Sequence, residues 1–151
     1  MKILSLPPLS RLLILPLLMF VGNLSADDRP FREFGEYRVY YSAFNSSFVS
    51  PEVAAAYDIV RGRDRGLINI AVVPAGTIGG RPAEVSGTVS NIFAQRQELK
   101  FFEVREGDAV YYLAPFKFEN EDSLTFSVTV KPNPDVPPYT LSFQRTFYRD
   151  R

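Results

Sequence analysis

Residues 124–131, LTFSVTVK, set Leu124, Phe126, Val128 and Val130 on one face and Thr125, Ser127, Thr129 and Lys131 on the other. A period of two is the mark of a strand with one side on a core and the other in water. The signal repeats outward in both directions. Towards the C-terminus, the proline-stiffened loop PNPDVPP (132–138) leads to residues 139–148, where Tyr139, Leu141 and Phe143 face inward until Arg145 interrupts the alternation. Towards the N-terminus, the polar turn ENED (119–122) follows AVYYLAPFKF (109–118), a strand in which Pro115 lacks a ladder donor and so belongs at an edge or a bulge. Glu106-Gly107-Asp108 is a turn, and residues 98–105 before it read as one strand of poor alternation, with Leu99, Phe101, Phe102 and Val104 on both faces. NIFAQRQ (91–97) reads as a short crossover or helical turn. Residues 83–89 alternate again, with Gly87 on the inner face marking a bulge or a close approach. AGTIGGRP (75–82) is a connecting loop, and LINIAVV (67–73) before it is apolar at six of seven positions, which suits a central strand covered on both faces. EYRVYYSAF (36–44) places Tyr37, Val39, Tyr41 and Ala43 opposite Glu36, Arg38, Tyr40 and Ser42, and residues 27–34 are expected to form a mobile lead-in.

About seven strands at roughly 10-residue intervals, with turn signals between them, predict a mainly β chain folded as an antiparallel β-sandwich of immunoglobulin type. The Cys…Trp…Cys hallmark of antibody domains is absent, because the chain has neither residue. One short helix is expected between the first two of these strands, within NSSFVSPEVAAAYDIVRGRDRG (45–66). Ser50 suits the N-cap, Pro51 the first helical position, and Glu52 complements the helix dipole before a run of helix formers about two turns long. This stretch and residues 90–97 are the connections long enough to pass between sheets.

The N-terminus carries a different signal. Lys2 and Arg11 precede LLILPLLMFV (12–21), and Leu24-Ser25-Ala26 ends in the small residue a processing site requires. Residues 1–26 therefore read as a signal peptide cleaved after Ala26, with residues 27–151 as a single β-sandwich domain in the periplasm or the medium. The apolar run is shorter than the roughly 20 residues of a spanning helix and is interrupted by Pro16, so no stable membrane insertion is expected after cleavage. Without Lys2 and Arg11, 15 basic residues stand against 17 acidic ones, a net charge of −2, which argues against nucleic acid as a partner.

Several separated stretches carry a resemblance. YSAFNSSFVSPEVAAAYDIVRGRDRG (41–66) with the strand LINIAVV, then YYLAPFKFENEDSLTFSVTV (111–130), the proline loop and YTLSFQRTFYRD (139–150) resemble a family of secreted gammaproteobacterial domains known only as a domain of unknown function. The resemblance spans essentially all of the chain after the leader. It implies a periplasmic or secreted β-sandwich-like domain and carries neither an activity nor catalytic residues.

The residue types restrict the chemistry further. The chain has no His and no Cys, which removes histidine bases and ligands, thiol nucleophiles and zinc–thiolate sites, and no cofactor is expected. A carboxylate pair remains for catalysis, but the densest acids, Glu119, Glu121 and Asp122, sit in a turn, where no apolar pocket is placed to raise a pKa. For binding, Arg61, Arg63 and Arg65, interleaved with Gly62, Asp64 and Gly66, form a cationic turn suited to a carboxylate or phosphate. The alternative is that Asp64 and other acids neutralise them at the surface. Tyr40 and Tyr111 are the outward members of the pairs Tyr40-Tyr41 and Tyr111-Tyr112, either a recognition platform or residues packed on a neighbouring strand. The expectation is a non-catalytic binding or accessory module whose partner is an envelope or exported protein. Capture of a small anionic ligand or glycan at the Arg turn is the second reading, and a carboxylate-based hydrolase the third.

Overall fold

The computed structural model describes residues 29–151, so the expected signal peptide and its cleavage point lie outside the described residues. Nine strands are described: β1 (Phe31–Phe34), β2 (Tyr37–Asn45), β3 (Arg65–Pro74), β4 (Glu84–Ser90), β5 (Arg96–Leu99), β6 (Phe102–Glu106), β7 (Ala109–Lys117), β8 (Asp122–Lys131) and β9 (Tyr139–Phe147). The helix α1 (Pro51–Ala56) lies between β2 and β3. All pairings are antiparallel, in a five-stranded sheet of order β1-β2-β3-β7-β6 and a four-stranded sheet of order β5-β4-β8-β9. The fold is the antiparallel β-sandwich that the alternation implied.

The inward faces meet as expected. Leu124, Phe126, Val128 and Val130 of β8 are buried, opposite Val39 of β2 and Ile68, Ile70 and Val72 of β3 in one cluster. Each such side chain contributes roughly 1.5–3 kcal/mol by leaving water. Phe116 packs edge-on against Phe126 and Phe147 with centroids 5.0 and 5.1 Å away, a geometry that the ring quadrupoles favour. Strand β3 is central, between β2 and β7, as its apolar run required. Gly87 marks a close approach, since a Cβ there would stand 2.5 Å from the Ser127 carbonyl oxygen of β8.

Four expectations need correction. Residues 31–34 are not a mobile lead-in but strand β1, held to β2 and anchored by Phe34, whose ring stacks on Tyr139 at 4.9 Å. Residues 98–105 are not one strand. β5 ends at Leu99 in the four-stranded sheet and β6 begins at Phe102 in the other, so the chain changes sheets at Lys100-Phe101 and both halves bury apolar residues. Residues 91–97 do not cross between sheets. Asn91 Oδ1 accepts from Phe93 N and Gln95 N, closing a tight hairpin turn between β4 and β5 with Ala94 at φ 59°. Nor does the segment 45–66 cross, because β2 and β3 are neighbours in one sheet.

Pro115 follows its expectation in a local sense. β6 pairs only as far as Leu113, so Pro115 lies beyond its end, with that flank of β7 free. Phe118 N donates to Asp64 O, which turns the even positions of β7 towards β3 and the odd ones outward. The missing N–H of Pro115 therefore costs nothing. Gln97 closes the same flank, donating from Nε2 to Lys117 O at 2.8 Å and accepting from Lys117 N at 2.9 Å.

Candidate functional site

The outer face of the five-stranded sheet is apolar where water would be expected. Leu67 of β3, Val104 of β6 and Leu113 of β7 point away from the inter-sheet core yet are buried. The segment between β2 and β3 covers them. Its ends are clipped together by the buried Ser46, whose hydroxyl donates to Gly62 O at 3.1 Å and accepts from Gly62 N at 3.0 Å. Within it, Ser50 Oγ caps α1 by accepting from Val53 N. At the other end Asp58 takes φ 54° and Ile59 N reaches back to Ala54 O at 2.8 Å, the six-to-one bond of a Schellman turn with aspartate in the usual glycine place. Ala54 is buried, and Tyr57 stacks on Phe102 of β6 at 6.5 Å.

The segment is too slim to fill all the space beneath it. A cleft of about 470 Å3 remains, floored by Phe44 of β2, Asn69 of β3, and Tyr111 and Leu113 of β7, and walled by Phe48, Val49, Ser50, Val53 and Ile59. Its volume lies in the range of ligand pockets. No carboxylate, ammonium or guanidinium lines it. At its rim Phe48 is 80% exposed and Val53 45%. Asn69 sits between Ser42 and Leu113 in the sheet, and its side-chain Oδ1 is buried without a hydrogen-bond partner. An acceptor left in that state costs roughly 1–3 kcal/mol. Tyr111 donates its hydroxyl to Glu106 Oε1 at 2.7 Å. Burial, then that hydrogen bond, push its pKa up to about 12.

The residues singled out from the sequence fall in several places. Tyr111 is at the cleft. Tyr40 also points outward, but its ring packs on Phe31 of the neighbouring β1 at 5.1 Å. The three arginines of the turn are engaged by three different partners. Arg61 donates to Ser47 O, Arg63 to Asp150 O at 2.6 Å, and Arg65 leans on Asp64 at 3.9 Å. Arg63 also lines a polar recess of about 640 Å3 with Arg149, Arg151 and Glu121. Two of the turn acids are engaged: Asp122 Oδ2 accepts from Glu119 N, and Glu119 pairs with Arg149 at 2.6 Å. Asn69 was not singled out, although it is the one polar residue in LINIAVV.

Comparison with known proteins follows the fold. The model of a family described as a domain of unknown function, DUF4426, matches residues 31–150. A crystal structure of a DUF4426 family protein from Pseudomonas aeruginosa is similar with a TM-score of 0.71 at 32% identity, covering 80% of this chain and 95% of that one. FetP of uropathogenic Escherichia coli strain F11, as isolated, gives a TM-score of 0.55 at 13% identity over 80% of this chain and 94% of its own. A copper-bound variant of FetP gives 0.56 at 12% identity, over 80% and 90%. No curated protein matches.

Proposed function

We propose that this chain, which belongs to the DUF4426 family of domains of unknown function, is a non-catalytic accessory module of the cell envelope that receives a partner protein in the cleft between α1 and the outer face of the five-stranded sheet. A leader removed after Ala26 exports residues 27–151 as one β-sandwich domain. The observation that carries the reading is an apolar cleft with exposed hydrophobic residues at its rim and, beneath its floor, the buried and unpartnered Oδ1 of Asn69. Self-contained surfaces rarely combine these.

Binding is favoured over catalysis by the lining. Tyr111 is its one titratable group, and a phenol at about 12 is far from the range in which a general acid or base works near neutral pH. Copper, bound in the FetP variant, does not fit these residues. Copper sites use imidazole, thiolate or thioether. The chain has no His and no Cys, and its methionines, Met1 and Met19, both fall in the leader. The Arg turn supports the anionic-ligand reading less well, since its guanidiniums are divided among separate partners.

The test is site-specific photocrosslinking in the native cells, with the reactive residue at Phe48 or at the fully exposed Ile78 of the β3–β4 loop. A single protein linked at position 48, unlinked at 78, and lost when Val53→Asp puts a charge in the cleft wall is the expected result. A folded protein that links nothing at 48, or links the same partner equally at 48 and 78, would overturn the reading.

A further inference from the structure

Seven large hydrophobic side chains are exposed among the described residues, and six of them belong to connections at one end of the sandwich. The strand registers define that end. β2 stops there with Asn45 opposite Gly66 of β3, β7 stops with Lys117 opposite Arg65, and β4 stops with Ser90 opposite Thr125 of β8. Phe48, Val53 and Val60 lie in the β2–β3 segment, Ile92 and Phe93 in the β4–β5 turn, and Tyr148 just after β9. Ile78, in the β3–β4 loop, is at the opposite end.

The β4–β5 turn sets two of the six side by side, Ile92 at 72% and Phe93 at 77% exposure. Gly, Pro, Asn, Asp and Ser are the usual residues of a turn in water. Here the polar groups bond to one another instead. Phe93 N and Gln95 N donate to Asn91 Oδ1, Ala94 N to Asn91 O, Asn91 N to Gln95 O, and Asn91 Nδ2 to Gln95 Oε1. Amides bonded in this way leave water without the penalty of an unpaired donor. Arg96 and Lys117 line one recess with Asn91 and form no ion pair among the described residues. The acids of that recess are engaged, Glu119 by Arg149 and Asp122 by the Glu119 amide. Projecting apolar side chains with free cations behind them match the layering of a bilayer surface, where acyl chains lie beneath anionic headgroups.

Chain continuity selects the same end. β1 is antiparallel to β2 and Tyr41 N donates to Pro30 O, so residues before Pro30 join the domain on the side of Asn45. The apolar run 12–21 is separated from Arg29 only by residues 22–28, at most about 25 Å of chain. With residues 1–26 as a leader, the end that carries the exposed side chains is the one delivered next to a bilayer.

We propose that the β4–β5 turn is a reversible membrane-surface anchor: Ile92 and Phe93 enter the boundary between headgroups and acyl chains of an anionic bilayer, with Arg96 and Lys117 on the lipid phosphates. This does not rest on the reading of the cleft, because neither Ile92 nor Phe93 lines it. The chain has no Trp, so Phe93→Trp and Ile78→Trp each install a single emitter, one at either end. The protein produced from the full 151-residue chain is mixed with phosphatidylethanolamine–phosphatidylglycerol vesicles or with phosphatidylcholine vesicles, each with and without brominated acyl chains. The expected result is a blue shift and bromine quenching at position 93 on the anionic vesicles and neither at position 78. Ile92→Asp in the Phe93→Trp background should abolish the quenching, since a carboxylate cannot enter the acyl boundary unpaired. Arg96→Gln should raise the anionic lipid concentration needed for half-quenching about 5-fold and leave phosphatidylcholine unaffected. No quenching at 93, equal quenching at 93 and 78, or quenching that survives Ile92→Asp would each overturn the proposal. A reporter at 93 that lipid leaves unquenched, together with a photocrosslink from position 93 to a protein in cells, would assign the turn to a protein partner and overturn it as well. The crosslink at position 48 stands or falls separately.

Discussion

Asn69→Leu should make the protein more stable. Asn69 lies in the middle of the central strand with its Oδ1 buried and unpartnered. Leucine has a similar volume and no polar atom, so it removes a desolvation cost of about 1–3 kcal/mol and adds apolar contact with Leu113 beside it in the sheet. Part of any gain would come from strand propensity alone, which spans about 1 kcal/mol. Ser42→Val, at the exposed neighbour that pairs with Asn69, measures that part. The prediction is a gain of about 1–3 kcal/mol beyond the Ser42→Val control, read in urea as a raised midpoint with an unchanged slope. For a chain of this size that corresponds to about 3–12 °C in Tm. Asn69→Asp should act in the opposite sense. Its carboxylate would be buried without a cation, its folded pKa would be raised, and stability would fall as pH rises through the carboxylate range and return in acid. An Asn69→Leu protein no more stable than its parent would refute the argument, because the acceptor would then be satisfied in solution.

Three further outcomes follow from the same geometry. Gly66→Ala places a Cβ into the ring of Phe116, which is itself locked against Phe126 and Phe147. The expected loss is about 1–3 kcal/mol in urea unfolding, partly recovered in the double variant with Phe116→Leu. Gln97→Ala removes both hydrogen bonds to the Lys117 backbone and should cost about 1 kcal/mol. Amide exchange at Lys117 should accelerate in this variant but little in Gln97→Glu, which keeps the acceptor. The Tyr111 phenol is raised from its ordinary 10.0 to about 12, so between those values the folded state holds a proton that the unfolded chain has lost. Stability should therefore fall as pH rises from about 10 to about 12, and Tyr111→Phe should make that fall shallower, with one late step missing from the phenolate absorbance titration.

What the sequence made legible was local. The alternation of β8, the continuous apolar run of β3 and the Ser50-Pro51 start of α1 depend on residues within a few positions of one another. The strand β1 was illegible because FREF is held by β2 and by Tyr139, more than a hundred residues away. The change of sheet at Lys100-Phe101 was hidden for a related reason. Leu99 and Val104 are both buried, but in different compartments, and a run apolar on both faces reads the same whether one strand is covered twice or two strands are covered once. The Arg turn stood out because charge is conspicuous in a sequence, whereas the acceptors that occupy Arg61 and Arg63 are backbone oxygens of Ser47 and of the distant Asp150. Asn69 was the reverse case. One polar residue in LINIAVV signals either a solvated face or a site, and only the cover laid down by residues 46–62 decides between them.

That cover also explains why a cleft exists at all. A helix of six residues has no stability of its own. The Ser46–Gly62 clasp and the Asp58 turn fix it, and the alanine-rich sequence PEVAAA gives it a narrow flank. It lies over Leu113 on the outer face of the sheet, and it leaves Phe48 and Val53 in solvent at the rim. A segment serving stability alone would bury those two side chains and would sit over a leucine at position 69. The exposed rim and the orphan acceptor are costs of the same sign in the isolated chain, and an apolar occupant of the cleft removes the first of them by taking Phe48 and Val53 out of water.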